Sequence, residues 1–325
     1  MMFTFQYLYF ATSILISISK GQDERVTKGI DAVFKQFPYQ VLIINFFEGN
    51  TITYCSGSIL NEEWVLTAAH CLDDDLGKFK LNAIVGDIYR LDVKNSVSRR
   101  VFKSFKWFQH ELWNIEGQKE HDIALILLSE KLTFNEFVQP VMRAFKDLKE
   151  DTNCTVSGWG LTEKKEVADI LQWGVLKTFP HSECERVFQN TSEKFSKSQY
   201  CVGDPNGVGP CPGDSGGPLT CVDPTSNKVY VHGVLSYGAS GEVECGKLPV
   251  VYTKVSSYDK WINKIISNNT VVNHQKWSRR VIRIAIILAG VFVFACLVIS
   301  AILYYTKIKK AVTKKGTIAA ETIAN

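Results

Sequence analysis

No CxxC pair, no low-complexity tract and no internal repeat at a period of about 20–50 residues occurs in the 325 residues. The first absence argues against a metal site, and the others exclude a repeat array. A surplus of positive charge is also missing from the middle of the chain. Residues 22–275 hold 27 basic and 32 acidic residues, a net of −5, although the whole chain sums to +4. The basic excess sits in 276–325, beside an apolar run, so nothing points to a nucleic-acid surface and no nucleic-acid partner is expected.

With 46% apolar residues the chain can bury a full-sized core. Two apolar runs frame the acidic middle. Residues 3–18 (FTFQYLYFATSILISI) end among small residues, which predicts a secretory signal peptide over 1–21, although the usual basic start is missing. An uncleaved anchor or a buried helix is the other reading of that run. The second run, 284–306, holds about 23 residues without a charge, enough to cross roughly 30 Å of hydrocarbon. Lys307, Lys309, Lys310, Lys314 and Lys315 follow it, as on a cytoplasmic end. Lys276, Arg279, Arg280 and Arg283 precede it, so the signal peptide and not the charge sets the orientation. A glycolipid-anchor signal would end in its apolar tail, whereas 19 mostly polar residues follow here. The expectation is a single-pass cell-surface protein. It has an extracellular N-terminal part, a polar stalk over 268–283, one span in membrane lipid, and a short basic cytoplasmic tail over 307–325.

Nine cysteines suit that compartment. Cys55, Cys71, Cys154, Cys184, Cys201, Cys211, Cys221 and Cys245 precede the span, and Cys296 lies within it as a small apolar residue in lipid. An even extracellular set reads as disulfides and not as a metal site, and no cofactor is expected. Asn153, Asn190 and Asn268 open N-x-Ser/Thr sequons. Asn190 and Asn268 are the expected glycosylation sites, since the middle residue after Asn153 is Cys154.

Between 26 and 267 short β-like runs dominate. VLIINFF (41–47), EWVLTAA (63–69), IALILLS (123–129), CTVSGWG (154–160), KVYVHGVLSYG (228–238) and VVYTKV (250–255) are β-branched and aromatic, and Gly, Asn, Asp and Pro separate them. One helix closes this region. Ser257 caps it, and Trp261 with Ile265, then Ile262 with Ile266, share a face at i, i+4. About 240 residues of this kind predict an all-β barrel or sandwich, single or duplicated.

Three stretches carry chemistry. Ser215 sits in Gly213-Asp214-Ser215-Gly216-Gly217, where glycines allow a tight turn and expose backbone N–H groups. Taken alone it is a turn residue or a nucleophile. His70 ends WVLTAAH and precedes Cys71, and alone it reads as a structural histidine. Asp122 opens DIALILL, where a strand-capping role is the plain reading. Serine hydrolysis needs a nucleophile, a base, an acid that orients the base, and N–H donors for the oxyanion.

Together, LTAAHC, HDIALI and GDSGGP, in the order His, Asp, Ser, resemble the chymotrypsin-like serine proteases. The likeness spans 26–266 and includes SGWG at 157–160, SYG at 236–238, VYTKV at 251–255 and WI at 261–262. It implies two six-stranded antiparallel β-barrels with a C-terminal α-helix, here followed by one transmembrane helix. It implies a serine endopeptidase acting on protein or peptide substrates, with macromolecular protease inhibitors as further partners. A catalytically silent protease-like receptor is the alternative, and a carbohydrate-binding β-protein a more distant one. By resemblance Ser215 attacks the scissile carbonyl, His70 is general base and then acid, and Asp122 holds the imidazole. The N–H groups of Gly213 and Ser215 form the oxyanion hole, where one lost donor costs about 3 kcal/mol. The resemblance also pairs Cys55 with Cys71, Cys154 with Cys221, Cys184 with Cys201, and Cys211 with Cys245, each bridge contributing ~2–4 kcal/mol.

The same likeness implies a zymogen. Residues 22–25 form a short propeptide without a cysteine, and an activating protease cuts after Arg25. The freed amine of Val26 then pairs with Asp214, whose burial as a lone charge costs several kcal/mol. Thr27 and Lys28 replace the small apolar or glycine residues usual there. The zymogen histidine before the first bridge cysteine is absent from Thr53-Tyr54-Cys55. The residue six before the nucleophile floors the primary pocket, and here it is Gly209. Ser236, Gly238 and Val250 line it, and Pro210 and Pro212 stiffen its rim around Cys211. The expected preference is for medium apolar residues, with Glu242 or Glu244 as the groups able to attract a basic one.

Overall fold

The β-branched runs form strands of two closed barrels, and their bulges supply the curl that closure needs. The computed structural model describes residues 28–73, 78–91, 96, 98–162, 164–189, 195–238 and 245–323. The expected signal peptide, Arg25, Val26, Asn190, Glu242 and Glu244 lie outside the described residues. A two-residue strand, β1 (Ile30–Asp31), precedes the first barrel. That barrel comprises β2 (Gln40–Phe47), β3 (Ile52–Ile59), β4 (Trp64–Thr67), β5 (Lys78–Val85), β6 (Arg100–Gln109) and β7 (Ala124–Leu128). Its strands close in the order β2-β3-β4-β7-β6-β5, each pair antiparallel. β4 and β7 are buried at every residue, which is why they read as unbroken apolar runs.

A short strand β8 (Met142–Arg143) leads to the second barrel. It is built from β9 (Asn153–Gly158), β10 (Gln172–Phe179), β11 (Gln199–Gly203), β12 (Pro218–Asp223), β13 (Lys228–Tyr237) and β14 (Val250–Lys254). Antiparallel pairs run β9-β10-β11-β14-β13-β12 and return to β9, while β1 adds to β10 and β8 pairs in parallel with β13. Val156, Leu176, Tyr200, Val202, Leu219, Leu235 and Tyr252 fill the interior. Bulges at Leu219/Thr220 and Leu235/Tyr237 bend β12 and β13. The fold is therefore mostly β, two six-stranded antiparallel barrels, as the resemblance implies.

The seam between the barrels is polar and paired. Gln40 Nε2 donates to the Ser157 carbonyl at 3.3 Å, and Ser157 Oγ donates to Gln40 Oε1 at 2.8 Å. Tyr39 Oη and Thr220 Oγ1 lie 3.1 Å apart in the same layer. Each buried polar atom that finds a partner across the seam fixes one barrel against the other. The structure joins Cys55 to Cys71, Cys154 to Cys221, Cys184 to Cys201 and Cys211 to Cys245. One helix that the sequence reading lacked, α1 (His181–Phe188), buries Cys184 and Phe188.

The C-terminal helix departs from expectation at both ends. Ser257 lies in a 3-10 turn, Val255–Tyr258, and α2 begins two residues later and runs Asp259–Ile323. The polar stretch 268–283 is helical within it, so no break separates the closing helix from the apolar run. One compact unit ends at Ile262 and a second begins at Asn263. The second contains Val281–Lys307, 27 residues of mean hydropathy 3.0, long and apolar enough to cross a membrane. Its apolar side chains are exposed, Phe292 and Phe294 among them, and Asn268 is exposed at its start.

Candidate active site

Strand ends of the first barrel bring His70 and Asp122 together. β4 delivers the chain to a 3-10 turn, His70–Leu72, and Asp122 lies two residues before β7, its register partner. The Cys55–Cys71 bridge ties that turn to β3. Asp122 is fully buried and takes three hydrogen bonds on its carboxylate. The His70 N–H donates to Oδ1 at 2.9 Å, while His70 Nδ1 and Ser236 Oγ lie 2.7 and 2.5 Å from Oδ2. Thr253 Oγ1 donates to the Asp122 carbonyl at 2.9 Å. Two of these partners, Ser236 and Thr253, come from β13 and β14 of the second barrel.

The His70 side chain is 30% exposed and that of Asp122 1%. Nδ1 faces the carboxylate, so Nε2 is the nitrogen left to exchange a proton. Burial alone would lower the His70 pKa. The charge and hydrogen bond of Asp122, with the charge of Asp73, outweigh it and raise the pKa above the usual value. Asp73 Oδ1 is itself held at 2.8 Å by Gln109 Nε2 and by Trp113 Nε1, whose ring stands 6.4 Å from the imidazole.

Ser215 lies in the turn between β11 and β12. Its carbonyl accepts the Ser56 N–H at 2.7 Å, and the Gly216 N–H donates to Leu235 O at 2.9 Å. Gly216 has φ +77°, and a Cβ there would press on Thr67 Oγ1 and lie 2.5 Å from Ser56 O and 3.0 Å from Ala68 N. Only glycine lets this turn pack against the strand end that carries His70. Among the described residues the Ser215 hydroxyl makes no hydrogen bond, and neither do the N–H groups of Gly213 and Ser215.

Asp214 points the other way, into the protein. It is 2% exposed, accepts the Gly160 N–H at 2.6 Å and the Cys211 N–H at 2.9 Å, and has no cationic partner among the described residues. Burial pushes its pKa up to about 6 against the pull of those two N–H groups. A Cβ at Gly158 or Gly160 would collide with its carboxylate.

Of the residues expected to line a pocket, Gly238 and Val250 are neighbours. Gly209 packs on Gly246, where a Cβ would stand 2.6 Å from Gly246 Cα, and a Cβ at Gly238 would meet Val250 Cγ1 at 3.1 Å. Ser236 differs in one respect, because its hydroxyl is committed to Asp122. Sequence reasoning missed that contact, together with Thr253, Asp73 and Trp113, although Ser236 and Thr253 lie inside the SYG and VYTKV stretches. Cys55 and Cys71 lie close enough to His70 to suggest a metal cluster. They are bonded to each other, so neither offers a thiolate.

A family profile described as Trypsin matches residues 26–262. Chymotrypsin-C of Rattus norvegicus is 34% identical over 254 residues, which cover 74% of this chain and 89% of that protein. Chymotrypsin-like elastase family member 1 of Felis catus is 30% identical over 272 residues, covering 81% and 99%. Neuropsin, a serine protease expressed in the limbic system of mouse brain, superposes with a TM-score of 0.62 at 29% identity, covering 74% of this chain and 99% of its own. Twin barrels and these likenesses together define a serine endopeptidase, a hydrolase that acts on protein substrates. Within that class the chain belongs to the trypsin family.

The charges around His70 set a measurable quantity. NMR titration is expected to place its pKa above the usual value of about 6.5. In Asp122→Asn the burial penalty remains without the compensating charge, so the pKa should drop below that of the wild type. An unchanged or higher value in the variant would contradict this account.

Proposed function

We propose that this endopeptidase is a membrane-anchored zymogen in which Ser215, His70 and Asp122 are the catalytic triad. The observation that carries the reading is the buried Asp122 carboxylate on His70 Nδ1, with the Ser215 main chain bonded to Ser56 and Gly216 packed on Thr67 and Ala68 just before His70. Ser215 Oγ adds to the scissile carbonyl as its proton passes to His70 Nε2. The Asp122 carboxylate stabilises the resulting imidazolium. The N–H groups of Gly213 and Ser215, without acceptors among the described residues, meet the oxyanion. His70 then protonates the leaving amine, and water releases the acyl group by the reverse sequence. The unmade Ser215 hydrogen bond is consistent with this role, since such bonds tighten only when substrate is bound.

Support for the zymogen comes from Asp214. A carboxylate whose pKa is raised to about 6 binds its proton more tightly folded than unfolded, so folding stability falls as pH rises from about 4 to 6 and the loss persists above that. The amine of Val26, freed by cleavage after Arg25, is the cation that offsets it. Support for the specificity comes from Gly209, which offers no charge and has no room for a side chain beside Gly246, and from Val250 beside Gly238. The pocket then takes medium apolar residues and leaves a buried Lys or Arg unpaired. Support for anchoring comes from Val281–Lys307. The protease domain stands outside the cell, the tail inside, and Asn190 and Asn268 carry glycans.

Four experiments test these statements. Uncut Arg25→Gln protein should show at least about 100-fold lower peptidase activity than cut wild type, and Ser215→Ala should abolish fluorophosphonate labelling of the cut form. Full activity in the uncut variant would overturn the zymogen, and labelling that survives Ser215→Ala would overturn the nucleophile. Of two peptides differing only in Leu or Arg before the scissile bond, the Leu peptide should have a kcat/KM at least about 100-fold higher. Faster turnover of the Arg peptide would overturn the pocket assignment. Trypsin treatment of intact cells should remove the protease domain and spare an epitope placed after Asn325, and loss of that epitope would reverse the topology.

A further inference from the structure

Four strands of the first barrel are unusual in their charge. β2, β5, β6 and β7 (QVLIINFF, KFKLNAIV, RVFKSFKWFQ and ALILL) contain five cations, Lys78, Lys80, Arg100, Lys103 and Lys106, and no carboxylate. This stands against the net of −5 over residues 22–275. The register puts three of the lysines on one outer face. Asn82 pairs with Lys103, and Lys80 lies two residues before Asn82, so it shares that face. Two-residue alternation would turn Lys106 inward, but the irregularity between Ser104 and Lys106 shifts the pattern by one residue. Lys80, Lys103 and Lys106 are all exposed, and among the described residues none of them enters an ion pair.

Two of these side chains stand on aromatic rings. Lys80 Nζ lies 4.8 Å from the centre of the Phe46 ring, and Lys106 Nζ lies 4.6 Å from that of Phe108. Phe46 is the register partner of Lys80. Rings under the ammonium groups restrict the side chains and leave their charges facing solvent, which lowers the ordering cost of binding an anion. Through the irregularity at Ser104/Lys106, Lys103 and Lys106 stand two ladder steps apart on β6, about 6.8 Å, and neighbouring strands lie about 4.8 Å apart. An extended peptide repeats its own side chains on one face at the same 6.8 Å. An acidic segment with carboxylates at alternate positions therefore matches this face in both charge and spacing. The domain's net negative charge disfavours an acidic segment except where cations are grouped, as they are on β5 and β6.

We propose that the outer face of β5 and β6, around Lys80, Lys103 and Lys106, is a docking surface for an acidic, extended segment of the enzyme's protein substrates. It acts outside the pocket. Docking raises the local concentration of the scissile segment and so lowers KM without touching the chemistry.

The test uses the full-length protein in detergent micelles, carrying Ser215→Ala for binding so that no cleavage intervenes. The probe is a fluorescent 12-residue peptide alternating Glu with Thr, followed by anisotropy. Its Kd is expected to weaken about tenfold between 50 and 300 mM salt. It should weaken by about tenfold again in Lys80→Gln/Lys103→Gln/Lys106→Gln at the lower salt. In active enzyme, a substrate extended by the acidic segment should show a lower KM than the same substrate without it, and the triple variant should erase that difference. Turnover of a short uncharged peptide should stay at the wild-type level, which establishes that the variant is folded. If the triple variant fails to fold, Lys103→Gln alone should weaken probe binding two- to threefold. Equal probe affinity in wild type and variant would overturn the proposal. So would binding of a sulfated oligosaccharide at this face with none of the acidic peptide.

Discussion

A carboxylate taken out of water is unfavourable by several kcal/mol unless its lone pairs are met by donors of good geometry, and Asp122 is fully buried. Its donors come from both halves of the protein. The 70–72 turn supplies a main-chain N–H and an imidazole, and β13 supplies the Ser236 hydroxyl. Thr253 of β14 fixes the Asp122 main chain as well. Neither barrel alone satisfies this group. The polar seam through Gln40, Ser157, Tyr39 and Thr220 is the wider expression of the same requirement, since the two barrels must meet in one register for Ser236 and Thr253 to reach Asp122. The arrangement that stabilises the buried charge also leaves His70 with one nitrogen committed and the other available.

Asp214 shows what happens when the requirement is only partly met. Two backbone N–H groups reach it, and its pKa still rises to about 6. Glycine at 158 and 160 is the reason those donors can approach, because any side chain at either position would occupy the space of the carboxylate. The site around Asp214 is therefore built for a small group close to the backbone, and a charge of opposite sign is what its energetics lack.

Much of this was legible in the sequence, for reasons that differ by element. β7 announced itself because a strand buried on both faces must be a continuous apolar run, and DIALILL is one. β6 did not, because RVFKSFKWFQ places cations on its outer face and its irregularity at Ser104/Lys106 breaks the two-residue period. The short helix α1 escaped because HSECERVF is too brief and polar to show a periodic stripe, and Cys184 anchors it through a bridge to Cys201. The closing helix was placed, but its continuation was not. Residues 268–283 are rich in asparagine and charge, which reads as a stalk, although α2 runs through them without a break. In the site, the residues within short motifs could be found by motif. Ser236, Thr253 and Asp73 act on partners far away in sequence, and no local pattern encodes a contact of that kind.

The proposed pocket and the proposed docking face on the first barrel would divide recognition between two physical mechanisms. At Gly209 the backbone approach to Gly246 leaves no space for a side chain, so in the proposed pocket discrimination would rest on desolvation and on the bulk of Val250. Such a pocket separates apolar side chains of different size weakly, because each methylene contributes only about 1 kcal/mol. On β5 and β6 the cations are exposed and desolvation is small, so an interaction there is weak per contact, long in range and sensitive to salt. A shallow apolar pocket of modest selectivity gains most from a second point of contact whose chemistry is unrelated to its own.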